Sequence, residues 1–137
     1  IIKNLIKNQI PVMGHIGIKP QSVKKIKDYR VLGKTNIEIN EIYNDALAIE
    51  SAGVFSVVLE LVDADLSKKI TNTLSIPTIG IGSGDDTDGQ VQVYNDLIGY
   101  SPYKLPSHAK TYDNLQVRAQ EVIDKFVRDT KKTDDKY

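Results

Sequence analysis

One acidic residue stands inside an almost unbroken apolar run, Val57-Val58-Leu59-Glu60-Leu61-Val62. An ionised carboxylate in a strand covered on both faces is expensive unless it is paired. In parallel α/β folds the C-terminal ends of strands carry the active site, and Glu60 lies near such an end. It could act there as a general base. It could equally be a structural carboxylate bonded to an Arg, a Lys or the backbone of a neighbouring strand. His15, in Met13-Gly14-His15-Ile16-Gly17, is the second candidate. Its flanking glycines allow a ligand or another backbone to come close, although a satisfied core histidine has the same signature. His108 lies in a loop between Pro106 and the following polar residues and reads as a surface residue. The two histidines offer no zinc-hydrolase spacing.

The glycine-rich stretch Gly80-Ile81-Gly82-Ser83-Gly84 resembles a phosphate cradle but fails its tests. Asp85 occupies the place of the third dinucleotide-loop glycine, and no Gly-Lys-Ser/Thr follows. Asp85, Asp86 and Asp88 would repel a phosphate. They suit a solvated turn or, as the sharper reading, a cation.

These residues must be positioned by alternating helices and strands. Ile2, Leu5 and Ile6 have helical spacing and read as the last turns of a helix whose beginning is absent. Apolar runs at 10–18, 54–62 and 76–82 read as buried strands, the middle one covered on both faces. Ile42, Ala46 and Ile49 predict a helix over about 41–52, with Gly53 as its terminating glycine. Asp63 or Asp65 can cap a further helix bearing Leu66, Ile70 and Leu74. Val91–Ile98 reads as helical. A last helix over about 114–129 would bury Leu115, Ala119, Val122 and Phe126, followed by a polar tail at 131–137. Ile10-Pro11 and Ile76-Pro77 each open a short strand after a helix, two β/α units apart at roughly 30 residues per unit. The rhythm predicts an α/β fold with parallel strands. With three clear strands, it fits a small open sheet or roughly half of a (β/α)8 barrel, which needs about 250 residues. The opening on a helix tail favours the half barrel.

The 137 residues suffice for one domain with a real core, placed at 1–130. Lys+Arg and Asp+Glu balance at 18 each, so there is no electrostatic case for nucleic acid or an anionic membrane surface. No apolar run approaches the roughly 18 residues that span a bilayer. The absence of cysteine excludes disulfides and thiolate metal sites and fits a reducing compartment.

Three segments together resemble the ketopantoate hydroxymethyltransferase family. Gly14-His15-Ile16-Gly17-Ile18-Lys19-Pro20-Gln21-Ser22 resembles its Gly-His-x-Gly-x-x-Pro-Gln-Ser motif. Val57-Val58-Leu59-Glu60 resembles the strand bearing its catalytic glutamate. Ser75 to Gly84, followed by Asp88-Gly89-Gln90, resembles its Gly-Ile-Gly-Ala-Gly and Asp-Gly-Gln segments. The likeness covers about residues 1–112. Lys27-Asp28 stand where the family has two glycines before the tyrosine at Tyr29. Leu61-Val62-Asp63 replace Cys-Val-Pro, and Ser83 replaces alanine. The family's C-terminal acidic-histidine motif is not found.

The resemblance implies the C-terminal part of a (β/α)8 TIM barrel of the phosphoenolpyruvate/pyruvate superfamily type, with the N-terminal strands missing. It implies a cytoplasmic homo-oligomer. The implied reaction transfers a hydroxymethyl group from 5,10-methylenetetrahydrofolate to 3-methyl-2-oxobutanoate, giving 2-dehydropantoate for pantothenate synthesis. Glu60 takes the base role and His15 lines the substrate cavity. The family's Mg2+ chelates the keto acid and acidifies its C–H, but its metal ligands lie upstream of the Gly-His motif, so this chain is expected to supply none. These residues alone are then expected to bind Mg2+ and keto acid poorly and to turn over nothing. Two alternatives are another magnesium-dependent enolate enzyme of the superfamily, against which the Gly-His-Ile-Gly-Ile-Lys-Pro-Gln segment argues, and a non-catalytic α/β binding module.

Overall fold

The apolar run around Val57 forms the interior of a parallel sheet. A computed structural model describes residues 1–23, 29–101 and 109–134, the last three by backbone alone. The chain divides into two units, Ile1–Val91 and Gln92–Tyr137. The first holds helix α1 (Ile2–Lys7), strand β1 (Met13–Gly17), a single 3-10 turn (Pro20–Ser22), α2 (Asn36–Ser51), β2 (Ser56–Glu60), α3 (Ala64–Thr73), β3 (Thr78–Ile81) and the short β4 (Gly89–Gln90). The strands lie in the order β1-β2-β3-β4, every neighbouring pair parallel. The expected α/β class with parallel strands is therefore present, with a fourth, two-residue strand just ahead of Val91–Ile98, the segment expected to be helical. That helix, α4, is shorter, Tyr94–Ile98.

Side chains alternate across the sheet. Ile16, Val57 and Leu59 meet Ile42 and Ala46 of α2 and Leu66 and Ile70 of α3 in one core cluster. The other face presents Met13, His15, Val58 and Glu60, all at least partly exposed. The two-sided cover expected for β2 is not found among the described residues. The reason is topological. Sequentially ordered parallel strands joined by crossovers of one hand send successive helices to the same face.

The start of α2 departs from expectation by about a turn. Thr35 caps it, its Oγ1 accepting the Glu38 N–H at 3.3 Å. The Glu38 carboxylate reaches back to accept the Gly33 and Lys34 N–H groups at 3.0 and 3.1 Å and also takes the Arg30 guanidinium. Thr35-x-x-Glu38 is a capping signature, and it places the boundary ahead of the first buried residue of the helix. Gly53, at φ +95, ends α2 as expected. Asp63 caps α3, accepting the Asp65 N–H at 3.1 Å. Leu66 and Ile70 are buried, with Leu74 packed at the edge of the core.

In the second unit, α5 spans Leu115–Asp134, longer than expected and helical into the anticipated tail. Its stripe is not buried: Val122 and Phe126 are each 66% exposed. Helical periodicity identifies a face that could be covered but not what covers it.

Candidate active site

Glu60 is the last residue of β2, and the chain leaves the sheet abruptly after it. Leu61 adopts φ +50, a left-handed backbone that costs a non-glycine residue roughly 1–2 kcal/mol. Such a conformation persists where the surroundings over-determine it, and here four residues from three segments do so. The Ile18 N–H donates to Glu60 O at 2.9 Å, and the Leu61 N–H donates to Ile81 O at 2.9 Å. The Leu32 N–H donates to Leu61 O at 2.7 Å. The Ser83 hydroxyl accepts the Val62 N–H at 3.0 Å and donates to Leu59 O at 2.7 Å. Ser83, where the family resemblance has alanine, thus bridges β2 and the glycine-rich loop.

The side chain is held as firmly as the backbone. Gly17 pairs with Glu60 in the β1–β2 register, so His15, two residues earlier, lies on the same face. Its Nε2 is 3.0 Å from Glu60 Oε2. The Tyr29 hydroxyl donates to Glu60 Oε1 at 3.1 Å. The Glu60 side chain is 14% exposed and that of His15 34%. The carboxylate is therefore paired, as its setting demands. Its side-chain partners are an imidazole and a phenol, rather than the Arg, Lys or backbone of the structural alternative. The structure brings together both residues singled out from sequence. Tyr29 was not singled out; the signal that could have found it is a polar aromatic in the loop that follows a strand's C-terminal end.

Gly17 explains one glycine of the Gly-His-x-Gly segment. At φ +94, a Cβ added there would lie 2.1 Å from Glu60 O. Backbone meets backbone beside the carboxylate, and no side chain fits.

The acidic loop does not gather. Asp88 turns inward and accepts the Thr78 N–H at 2.8 Å and the Thr78 hydroxyl at 3.0 Å. These bonds hold its carboxyl below the usual 3.8. Asp86 pairs instead with Lys68 at 3.2 Å. Thr71, on α3, shares the Thr78 hydroxyl at 2.9 Å. Asp88 thus ties the loop back to the first residue of β3. His108 lies outside the described residues. A separate cleft of about 370 Å3, lined by Gly33, Lys34, Ile39, Asp63, Asp65, Leu66 and Lys69, opens by the first turns of α2 and α3 and does not include Glu60.

Comparison with known proteins shows the family. A family model described as ketopantoate hydroxymethyltransferase matches residues 1–134. The chain belongs to the ketopantoate hydroxymethyltransferase family. Relatives named 3-methyl-2-oxobutanoate hydroxymethyltransferase include that of Pseudothermotoga lettingae, 48% identical over 128 residues, covering 93% of this chain and 48% of that protein. The Pyrococcus abyssi protein is 46% identical over 131 residues, covering 96% of this chain and 46% of its own length. That of Acaryochloris marina is 46% identical over 127 residues, at 93% and 49%. The chain spans about half the length of the curated relatives it matches. Glu60, His15 and Tyr29 all lie within the span matched by the family model.

The magnesium expected from the family resemblance does not fit these residues. Among the described residues no three His, Asp or Glu side chains converge as a metal site. Both oxygens of Glu60 already have partners.

Proposed function

We propose that this chain carries the proton-abstracting base of a hydroxymethyl transfer to 3-methyl-2-oxobutanoate, with Glu60 as that base. The observation that supports this most is the setting of Glu60. It ends a central strand on the face opposite α2 and α3, and both its oxygens are held by neutral-capable donors rather than by a fixed cation. Glu60 takes the proton from C3 of the keto acid. The C–H electron pair becomes the C=C bond of the enolate, and the carbonyl π pair moves to oxygen. Water releases the one-carbon unit of 5,10-methylenetetrahydrofolate as formaldehyde: its two C–N bonds break, each nitrogen takes a proton and tetrahydrofolate leaves. The enolate carbon bonds to that formaldehyde carbon as the keto carbonyl reforms, the formaldehyde π pair moves to its oxygen, and a proton taken there completes the hydroxymethyl group. His15 lines the same cavity and orients the carboxylate.

The sheet is read as part of a (β/α)8 barrel. Its sequential parallel order supports this, as do helices α2 and α3 on a single face. The face bearing His15, Val58 and Glu60 would then point inward, and Glu60 would stand at the C-terminal end of its strand, where barrel enzymes place their chemistry.

The test joins this chain to the complementary half of the Pyrococcus abyssi relative and follows exchange of the keto acid's C3 proton with solvent deuterium. A general base contributes about 10²- to 10⁴-fold. Glu60→Gln should therefore reduce exchange by at least that factor while calorimetry still shows keto-acid binding. Exchange at the parental rate in Glu60→Gln refutes the assignment.

A further inference from the structure

We infer that Tyr29 is a positioning residue for Glu60, setting the plane of its carboxylate; this rests on the reading of Glu60 as base. A glutamate's terminal torsion is broad and roughly two-fold, so one hydrogen bond fixes the direction of one oxygen and leaves the group free to swing about it. His15 supplies that first point at Oε2, 3.0 Å away. The Tyr29 hydroxyl supplies the second at Oε1, 3.1 Å away. Two points on two oxygens define the plane. An ionised carboxylate only accepts hydrogen bonds and has about four lone-pair sites. With one site on each oxygen occupied, the remaining lone pairs have fixed directions from which to receive a proton from carbon.

Tyr29 is itself placed from elsewhere. It is 37% exposed, so burial does little to hold it. The residues just after it are anchored instead. Arg30 pairs with Glu38, and the Gly33 and Lys34 amides donate to the same carboxylate. Leu32 forms a parallel bridge with Val62, two residues beyond Glu60. The loop is therefore registered against the end of β2 on one side and the first turn of α2 on the other. The Thr35-x-x-Glu38 cap thus serves the site as well as the helix. Through it, α2 sets where the Tyr29 hydroxyl stands.

The experiment replaces Tyr29 by Phe, which keeps the ring and removes only the donor, with Tyr94→Phe as an exposed control. In this chain alone, the Glu60 side-chain 13C and His15 ring 15N resonances should shift in Tyr29→Phe and not in Tyr94→Phe. Unchanged resonances refute the positioning role whatever the chain's activity. In the joined protein, Tyr29→Phe should lower kcat for C3 exchange by about 10- to 100-fold, the scale of a misplaced reacting group, with KM for the keto acid within about twofold. Exchange at the parental rate, or a rise in KM alone, refutes the proposal. The two readings fail separately. If Glu60→Gln still exchanges, the base assignment falls. If Glu60→Gln stops exchange but Tyr29→Phe does not slow it, the Tyr29 proposal falls alone.

Discussion

Replacing Gly17 by Ala should damage the fold and the candidate site together, and the size of the loss follows from the local geometry. The residue turns at φ +94, and an added Cβ would lie 2.1 Å from Glu60 O and 2.8 Å from Val62 Cγ2. Real Cβ atoms essentially never come closer than 3.0 Å to a neighbour, and a backbone oxygen in a sheet cannot rotate away as a side-chain tip can. Left-handed backbone alone costs a residue with a Cβ roughly 1–2 kcal/mol. Pushing β1 off Glu60 O also breaks the 2.9 Å bond from the Ile18 N–H, worth about 0.5–1.5 kcal/mol. The combined loss is on the order of 2–3 kcal/mol. At about 1–3 kcal/mol per molar urea for a domain of this size, the unfolding midpoint should fall by roughly 1–2 M, read by far-ultraviolet circular dichroism. Gly14→Ala is the comparison. Its Cβ would lie 2.7 Å from Ile49 Cδ1, the tip of a flexible side chain, and its backbone is not left-handed. It should lose clearly less. A Gly17→Ala midpoint equal to that of Gly14→Ala would refute the backbone-contact argument.

Two further perturbations test the supports of the site. Arg30, with the Lys34 and Gly33 amides, holds the Glu38 carboxyl down from 4.5 to about 2. A carboxylate with a depressed folded pKa contributes stability that is fully present above its unfolded value and is lost as pH falls through the folded one. Wild type should therefore exceed Glu38→Gln in stability at neutral pH, and the difference should fade between pH 4.5 and about 2; a difference independent of pH would contradict it. Ser83→Ala should leave the buried Val62 N–H without its acceptor. Chemical denaturation should then show a loss of about 1–3 kcal/mol, and a neutral result would mean that another group or water takes the bond.

Much of the architecture was legible because apolar periodicity and turn chemistry are local. The strands around Ile16, Leu59 and Ile79, the glycine that ends α2 and the Asp63 cap all follow from residue type and spacing. The helix starts at Asn36, ahead of the span marked by Ile42, Ala46 and Ile49, because the Thr35-x-x-Glu38 cap sets its first turn and buried-residue spacing does not. Covering β2 on both faces was the natural reading of a continuous apolar run, but it depends on which way successive crossovers turn. The exposed stripe of α5 has the same origin, since amphipathicity names a face and not its partner.

At the candidate site, the sequence determined by itself that Glu60 sits in an apolar strand beside a glycine-flanked His15, and motif likeness tied both to one family. It left open whether Glu60 was paired with a fixed cation. Only the tertiary structure decided that its partners are His15 and Tyr29, contributed by residues 45 and 31 positions away in the chain. The sheet register decides the first contact and the Glu38-anchored loop the second. Neither register nor loop placement is a property of any short window of sequence, because each is set by backbone hydrogen bonds between segments far apart in the chain.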